Sequence, residues 1–306
     1  MLHSKPNNNG EMTMFTEEFK NLAALEVTTR IGCPVMCSFC PQVTLINRFV
    51  EENPTDQKIL RLEHFKTIID KIPSWVDIHF SGMYEPFAVP NCGEMIKYTR
   101  DKGHEISIYT TLVGAKKEDI DTLWSVDWNA HHRLCVHLPD DQEHFKAKVT
   151  NRYIEVLKYL MAKPDMPERL RNRSVVLMTM SGNGLTDPKL IGIVPQGIHA
   201  LGAFQPVTRA GNLSNENEIF EGQKVPKKTG AIYCSAAPDI NHNVLLPNGD
   251  VVLCCMDYGM ERKIGNLFEG SYESLFVSDA YNEILQLQSE EDNELMCRYC
   301  DCARNK

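Results

Sequence analysis

Between residues 22 and 208, short apolar runs alternate with longer amphipathic segments, and this alternation limits what the chain can fold into. The runs at 22–28, 76–80, 105–111, 133–138, 175–179 and 205–208 read as strands. Segments at about 63–72, 94–102, 117–123, 142–161 and 188–203 read as helices. Tyr153, Ile154, Leu157, Leu160 and Met161 form the clearest apolar stripe among them. Strand–helix repeats imply a parallel sheet with crossover helices. Six repeats make most of a β/α barrel, in which function sits at the C-terminal ends of the strands. The expected fold class is therefore α/β, a partial (β/α)6 TIM-like barrel over residues 21–213.

Residues 1–20 are polar, and Pro6-Asn7-Asn8-Asn9-Gly10 has no period, so a flexible tail is expected there. Residues 214–230 are polar, contain Pro226 and Gly230, and read as a linker. Residues 231–306 are too short for another large core, and a bound metal would supply the missing stability. Lys and Arg total 32 against 41 Asp and Glu, a net charge of −9, which argues against general nucleic-acid binding. No stretch approaches the ~18 consecutive apolar residues of a membrane span. The longest, 190–204, is broken by Pro195, Gln196 and His199. Residues 1–20 lack the apolar region of a secretory signal, so a cytoplasmic location is expected.

Eleven cysteines in 306 residues are well below the ~8–10% of a disulfide scaffold, and an odd number cannot all pair. In a reducing compartment, clustered cysteines point to metal or catalysis. Three of them, Cys33, Cys37 and Cys40, lie within eight residues after the first strand. Their thiolates can converge on one centre, and three protein ligands leave a position open, the arrangement of a catalytic metal. No Cys or His follows Cys40 until His64.

CX3CX2C after a first strand, with Phe39 just before the third cysteine, resembles the radical SAM superfamily. The resemblance implies that Cys33, Cys37 and Cys40 hold a [4Fe–4S] cluster whose fourth iron is chelated by S-adenosylmethionine. It implies reductive cleavage of that cofactor to a 5′-deoxyadenosyl radical, fed by an electron donor such as flavodoxin or ferredoxin. Ser81-Gly82-Met83-Tyr84-Glu85-Pro86 resembles the family's GGE-type segment, which makes Gly82 and Glu85 cofactor-binding candidates. Met83-Tyr84 stands where small residues are common. Thr110-Thr111 is similar to the family's polar strand end. Arg209-Ala210-Gly211-Asn212-Leu213 is similar to a sixth-strand segment of SPASM-type members, with Arg209 facing the cofactor or substrate.

Six cysteines fall in the last segment: Cys234, Cys254, Cys255, Cys297, Cys300 and Cys302. Leu246-Pro247-Asn248-Gly249-Asp250 before Val251-Val252-Leu253 is a hairpin signal that would bring Cys234 and Cys254 together. Cys297-X2-Cys300 is a metal-chelating knuckle. Cys-X14-Gly-X4-Cys resembles the opening of a SPASM or Twitch extension, a small C-terminal cysteine-rich domain. The thiols are too few for the full two-cluster form. The resemblance thus implies one auxiliary [4Fe–4S] cluster on Cys234, Cys254, Cys297 and Cys300, with Cys302 a substitute for either of the last two. Spacing alone also admits a structural zinc site.

Two adjacent cysteines seldom both bind one cluster, which leaves Cys255 free. In sulfatase-maturing relatives the matching position is an acid facing the substrate. Similar radical SAM epimerases use a cysteine there to return hydrogen, which implies that role for Cys255. The plainer alternatives are a buried thiol or a ligand in place of Cys254. Asp257, two residues on, is a candidate base. His79 and His137 sit on strand faces that would line the cavity, and Cys92 and Cys135 read as packing residues. The expected function is epimerisation of a sugar or peptide, hence a small-molecule or peptide substrate. The alternatives are dehydrogenation of an alcohol via the auxiliary cluster, peptide thioether formation, and a non-enzymatic zinc-binding interaction module.

Overall fold

The computed structural model describes residues 5–6, 12–13, 15–53, 57–128, 131–144, 146–179, 184–195, 208–213 and 225–306. The strands β1 (Ala24–Val27), β2 (Asp77–Phe80), β3 (Ile106–Thr110), β4 (Arg133–His137) and β5 (Val175–Met178) lie side by side in sequence order. Each is parallel to the one before it. Around and between them lie the helices α1 (Glu17–Leu22), α2 (Gln42–Glu52), α3 (Leu62–Ile69), α4 (Cys92–Asp101), α5 (Lys117–Ser125), α6 (Asn151–Met161) and α7 (Met166–Arg171).

The period-two pattern divides the sheet into two unlike faces. Leu25, Val27, Ile78, Phe80, Ile106, Ile108, Leu134 and Val136 form the core with the helices, none more than 1% exposed. The other face carries chemistry. Glu26 is in register with His79, His79 with Ser107, Ser107 with Arg133, and Tyr109 with Cys135.

The C-terminal segment extends this sheet. It begins with β6 (Ile232–Cys234), and β7 (His242–Leu245) then pairs parallel with the outer edge of β1. The strands β8 (Asp250–Val252) and β9 (Lys263–Asn266) continue antiparallel, giving eight strands in the order β9-β8-β7-β1-β2-β3-β4-β5. The sixth parallel strand is therefore β7. Of the strand expected at 205–208, only Thr208 lies within the described residues, and it leads into the single turn Arg209–Gly211. The expected hairpin at 246–250 is present. Gly249 has φ +87°, and a Cβ there would sit 2.4 Å from the Phe268 ring, so only glycine fits. After α8 (Asp279–Ser289), β10 (Ala303–Asn305) pairs antiparallel with β6.

Three elements differ from expectation. α2 starts directly after the cysteine loop and buries Gln42, Leu45 and Phe49. α6 starts at Asn151, where Thr150 accepts a hydrogen bond from the Tyr153 N–H and caps it, and the described residues before it, 142–144 and 146–150, are not helical. Within the stretch expected to be a tail, α1 buries Phe19, whose ring meets Phe276 edge-on at 4.9 Å. Of the helix expected at 188–203, the short turn Pro188–Leu190 is described, and 196–203 lies outside the described residues. Among the described residues no helix is long and apolar enough to cross a membrane.

Arg298 locks the C-terminal segment. It is fully buried between Cys297 and Cys300. Its guanidinium donates to Asn293 Oδ1 at 2.9 Å and to the carbonyls of Lys228, Gly230, Leu287 and Glu290 at 2.9, 2.9, 3.1 and 2.6 Å. All five of its N–H donors are used. Two of the carbonyls lie at or just beyond the end of α8, where a cation also suits the helix dipole. Arg298→Lys keeps the charge but offers three donors without the planar fork. It should lower the unfolding free energy by about 2–4 kcal/mol in denaturant titration, and an unchanged midpoint would contradict this account.

Candidate active site

A cavity of about 150 Å³ opens beyond the C-terminal ends of the central strands. Its lining brings together Cys33, Cys37, Cys40, Gly82, Glu85, Thr110 and Arg209, all seven candidates that the sequence assigned to the first site. His137 lines it too.

Gln42 fixes the cysteine loop in place. Its Oε1 accepts from the Cys33 N–H at 3.0 Å and its Nε2 donates to the Met83 carbonyl at 2.8 Å, joining the loop to the end of β2. Gly82 has φ +63°, and a Cβ there would meet Thr28 Oγ1 at 2.5 Å. Its N–H donates to Glu26 at 2.9 Å. Met83 departs from the small residue common in the family because its side chain packs into a second core with Ile31, Leu45 and Phe49.

Glu85 and Thr110 line the cavity but bond to their own chain. The Glu85 carboxylate accepts from Thr110 Oγ1 at 2.5 Å, from the N–H and Oγ1 of Thr111 at 2.7 Å each, and from the Phe87 N–H at 3.3 Å. These four bonds use a carboxylate's four acceptor positions. Burial pushes its pKa up, against the pull of Thr110 and Thr111. In this structure Glu85 and Thr110 tie the ends of β2 and β3 together and so shape the cavity wall.

Arg209 is half-buried at the cavity edge, with its guanidinium 5.8 Å from the Tyr258 ring centre. Tyr258 comes from the C-terminal segment, and its hydroxyl lies 3.6 Å from Cys40 Sγ. The hydrogen bond from Cys37, with the charge of Arg209 and the Tyr258 hydroxyl, holds the Cys40 thiol down to about 6. Burial raises the Cys33 thiol to about 11.

Sequence reasoning passed over Glu26, at the centre of the inner face. Its carboxylate accepts from Ser81 Oγ at 2.8 Å and from the Gly82 N–H at 2.9 Å. It lies 3.1 Å from His242 Nε2 on β7, and its charge bears on the Cys255 thiol. Burial alone would raise its pKa, but the bond and charge of His242 hold it at about 2. The His79 ring faces His242 at 5.1 Å, and burial lowers its pKa to about 4. The available signal was an acidic residue inside an otherwise apolar strand.

A second cavity is lined by Cys234, Cys254, Cys297 and Cys300, the four preferred ligands of the second cluster. Cys255 and Cys302 are not among its lining. The Cys302 N–H donates to Cys300 Sγ at 3.4 Å. Burial and the Glu26 charge push the Cys255 thiol up. Asp257 lies two residues beyond Cys255. Its two oxygens accept from the Glu261 and Arg262 N–H groups at 2.8 and 3.0 Å, so it holds the turn after Cys255. Cys92 and Cys135 are buried, as packing residues would be. Among the described residues no three His, Cys, Asp or Glu side chains close on a single metal ion, and the thiols instead stand around the two cavities.

Residues 234–302 match the SPASM family, an iron–sulfur cluster-binding domain. The chain carries a SPASM domain. No curated protein matches it by sequence. Among solved structures, BtrN in complex with AdoMet and 2-DOIA is similar over 93% of both chains, with a TM-score of 0.56 and 16% identity. Streptococcus suis SuiB bound to precursor peptide SuiA is similar over 91% of this chain and 69% of its own, with a TM-score of 0.51 and 14% identity. Histidine-tagged anSMEcpe with bound AdoMet follows at 0.50 and 12%, over 91% and 83%. At these identities the likeness is one of fold. The partial barrel with its SPASM extension, expected from the resemblance to SPASM-type radical SAM proteins, is borne out.

Glu26 should control acid stability. Its folded pKa of about 2 lies below the ordinary 4.5, so its contribution is complete above pH 4.5 and is lost as pH falls through about 2. That contribution is about 3 kcal/mol. Glu26→Gln should be less stable at pH 6 by a similar amount and should lose less than wild type on acidification to pH 3. Equal pH slopes in denaturant titrations of the two proteins would contradict the assignment.

Proposed function

We propose that the chain is a radical SAM enzyme carrying two [4Fe–4S] clusters, and that it inverts a carbon–hydrogen centre of a sugar or peptide with Cys255 as hydrogen donor. The division of the thiols carries the proposal. Cys33, Cys37 and Cys40 line one cavity, Cys234, Cys254, Cys297 and Cys300 line the other, and Cys255 lines neither but feels the charge of Glu26 on the inner face. When bound, the first cluster and S-adenosylmethionine supply a 5′-deoxyadenosyl radical that takes a hydrogen atom from the substrate.

The chain's own groups orient and protect. Arg209 is a fixed guanidinium at the cavity wall, suited to a carboxylate of the cofactor or substrate. Gly82 lets the turn pack against Thr28, where a Cβ would clash, and so holds the cavity wall in place. Cys255 gives its S–H hydrogen atom to the opposite face of the substrate radical and is left as a thiyl. One electron from a donor such as flavodoxin or ferredoxin and one proton from water restore the thiol. Free thiols and clusters of this kind suit a reducing cytoplasm. This fold accommodates 2-DOIA in BtrN and a precursor peptide in SuiB, so both substrate classes are retained.

Turnover in heavy water tests the proposal. The expected product is inverted and carries one solvent deuterium at the inverted carbon. Cys255→Ala should still form 5′-deoxyadenosine while the inverted product falls to background. A product two hydrogens lighter, either a ketone or a thioether, made undiminished by Cys255→Ala, would overturn epimerisation in favour of dehydrogenation or cross-linking.

A further inference from the structure

α8 is capped by Ser278, whose Oγ accepts from the Tyr281 N–H at 3.1 Å. It buries Tyr281, Ile284 and Gln288, the spacing of one helical face. Gln288 stands where an apolar residue would complete that face. It is 3% exposed, and its amide Nε2 has no hydrogen-bond partner. A buried N–H without an acceptor is costly, and a native structure offers a reason for each one.

The surroundings supply the reason. Gln288 lines the second cavity together with Cys234, Cys254, Cys297 and Cys300. Ile240, Leu253 and Met296, also in the lining, bring apolar surface rather than strong acceptors. His242, another polar side chain there, is already paired with Glu26 at 3.1 Å. An anionic group built of thiolates and sulfides would give the orphan N–H an acceptor of the right kind.

We infer that Gln288 donates an N–H···S hydrogen bond to the auxiliary cluster and raises its reduction potential. The inference rests on the reading that this cavity holds a [4Fe–4S] cluster. Reduction adds negative charge to the sulfurs, so the donor bonds the reduced form more strongly and favours it. Gln288 is a positioning and tuning residue in this role. It touches the cluster and need not touch the substrate.

The test is a redox titration followed by electron paramagnetic resonance on full-length, anaerobically reconstituted protein. The auxiliary signal is the one that survives in the Cys33→Ala/Cys37→Ala/Cys40→Ala variant. Gln288→Met keeps length and shape without a donor. It should retain its iron and sulfide and shift the auxiliary potential negative, by a tenfold or larger change in the one-electron equilibrium, about 59 mV. Gln288→Glu should shift it further, with the first cluster unmoved in both. In wild type with 15N in its glutamine side chains, pulsed resonance should detect a nitrogen coupled to the reduced auxiliary cluster. This measurement stands even where a variant loses its cluster. An unchanged potential in iron-replete Gln288→Met, or no 15N coupling in wild type, would overturn the inference and leave the cluster itself in place. Wild-type protein with no auxiliary signal, and iron unaffected by Cys254→Ala, would instead overturn the cluster reading on which it rests.

Discussion

The buried carboxylate of Glu26 is the point on which the rest of the structure depends. It sits mid-strand on β1, where a lone charge would be prohibitively expensive. Its partners come from distant parts of the chain: Ser81 and Gly82 at the end of β2 donate to it, and His242 on β7 lies 3.1 Å away. One side chain therefore holds the first strand, the cavity-forming turn and the C-terminal segment in a single register. Breaking a buried pair of this kind costs far more than an exposed one, because the partner left behind has no water to turn to.

The consequence is that the two thiol cavities belong to one continuous sheet. β7 lies against β1, so the SPASM domain extends the barrel. Tyr258 and Arg209 then reach Cys40 from one side, while His242 lies between Glu26 and the second cavity. Arg298 performs the corresponding task inside the SPASM domain. It gathers carbonyls from two segments around the knuckle that presents Cys297 and Cys300.

The parts of this architecture visible in the sequence were those written in short-range patterns. Five strands followed from short apolar runs alternating with amphipathic segments, and the cysteine groups followed from spacing. The hairpin at Gly249 followed from turn chemistry. What stayed hidden depended on partners far along the chain. β7 looked like any short strand until its edge met β1. Phe15 and Phe19 looked like part of a tail because Trp75 and Phe276, against which they pack, are distant in sequence. α2 was masked by the cysteine loop directly before it. Asp257 had the chemistry of a base, but backbone N–H groups four and five residues on claim both its oxygens. Glu85 was singled out by its motif, but the four internal donors that seat it at the cavity wall come from tertiary contact the motif does not show. Gln42, Tyr258 and Gln288 carry no local signal, because each acquires its role only from tertiary contact.

The central claim is that seven of the eleven cysteines hold two iron–sulfur clusters. Iron, acid-labile sulfide and zinc should be quantified in anaerobically purified wild-type protein beside the Cys33→Ala/Cys37→Ala/Cys40→Ala and Cys234→Ala/Cys254→Ala/Cys297→Ala/Cys300→Ala variants. The account predicts about eight irons and about eight sulfides per chain, falling to about four of each in either variant. Stoichiometric zinc without acid-labile sulfide would contradict it and favour a zinc-binding module.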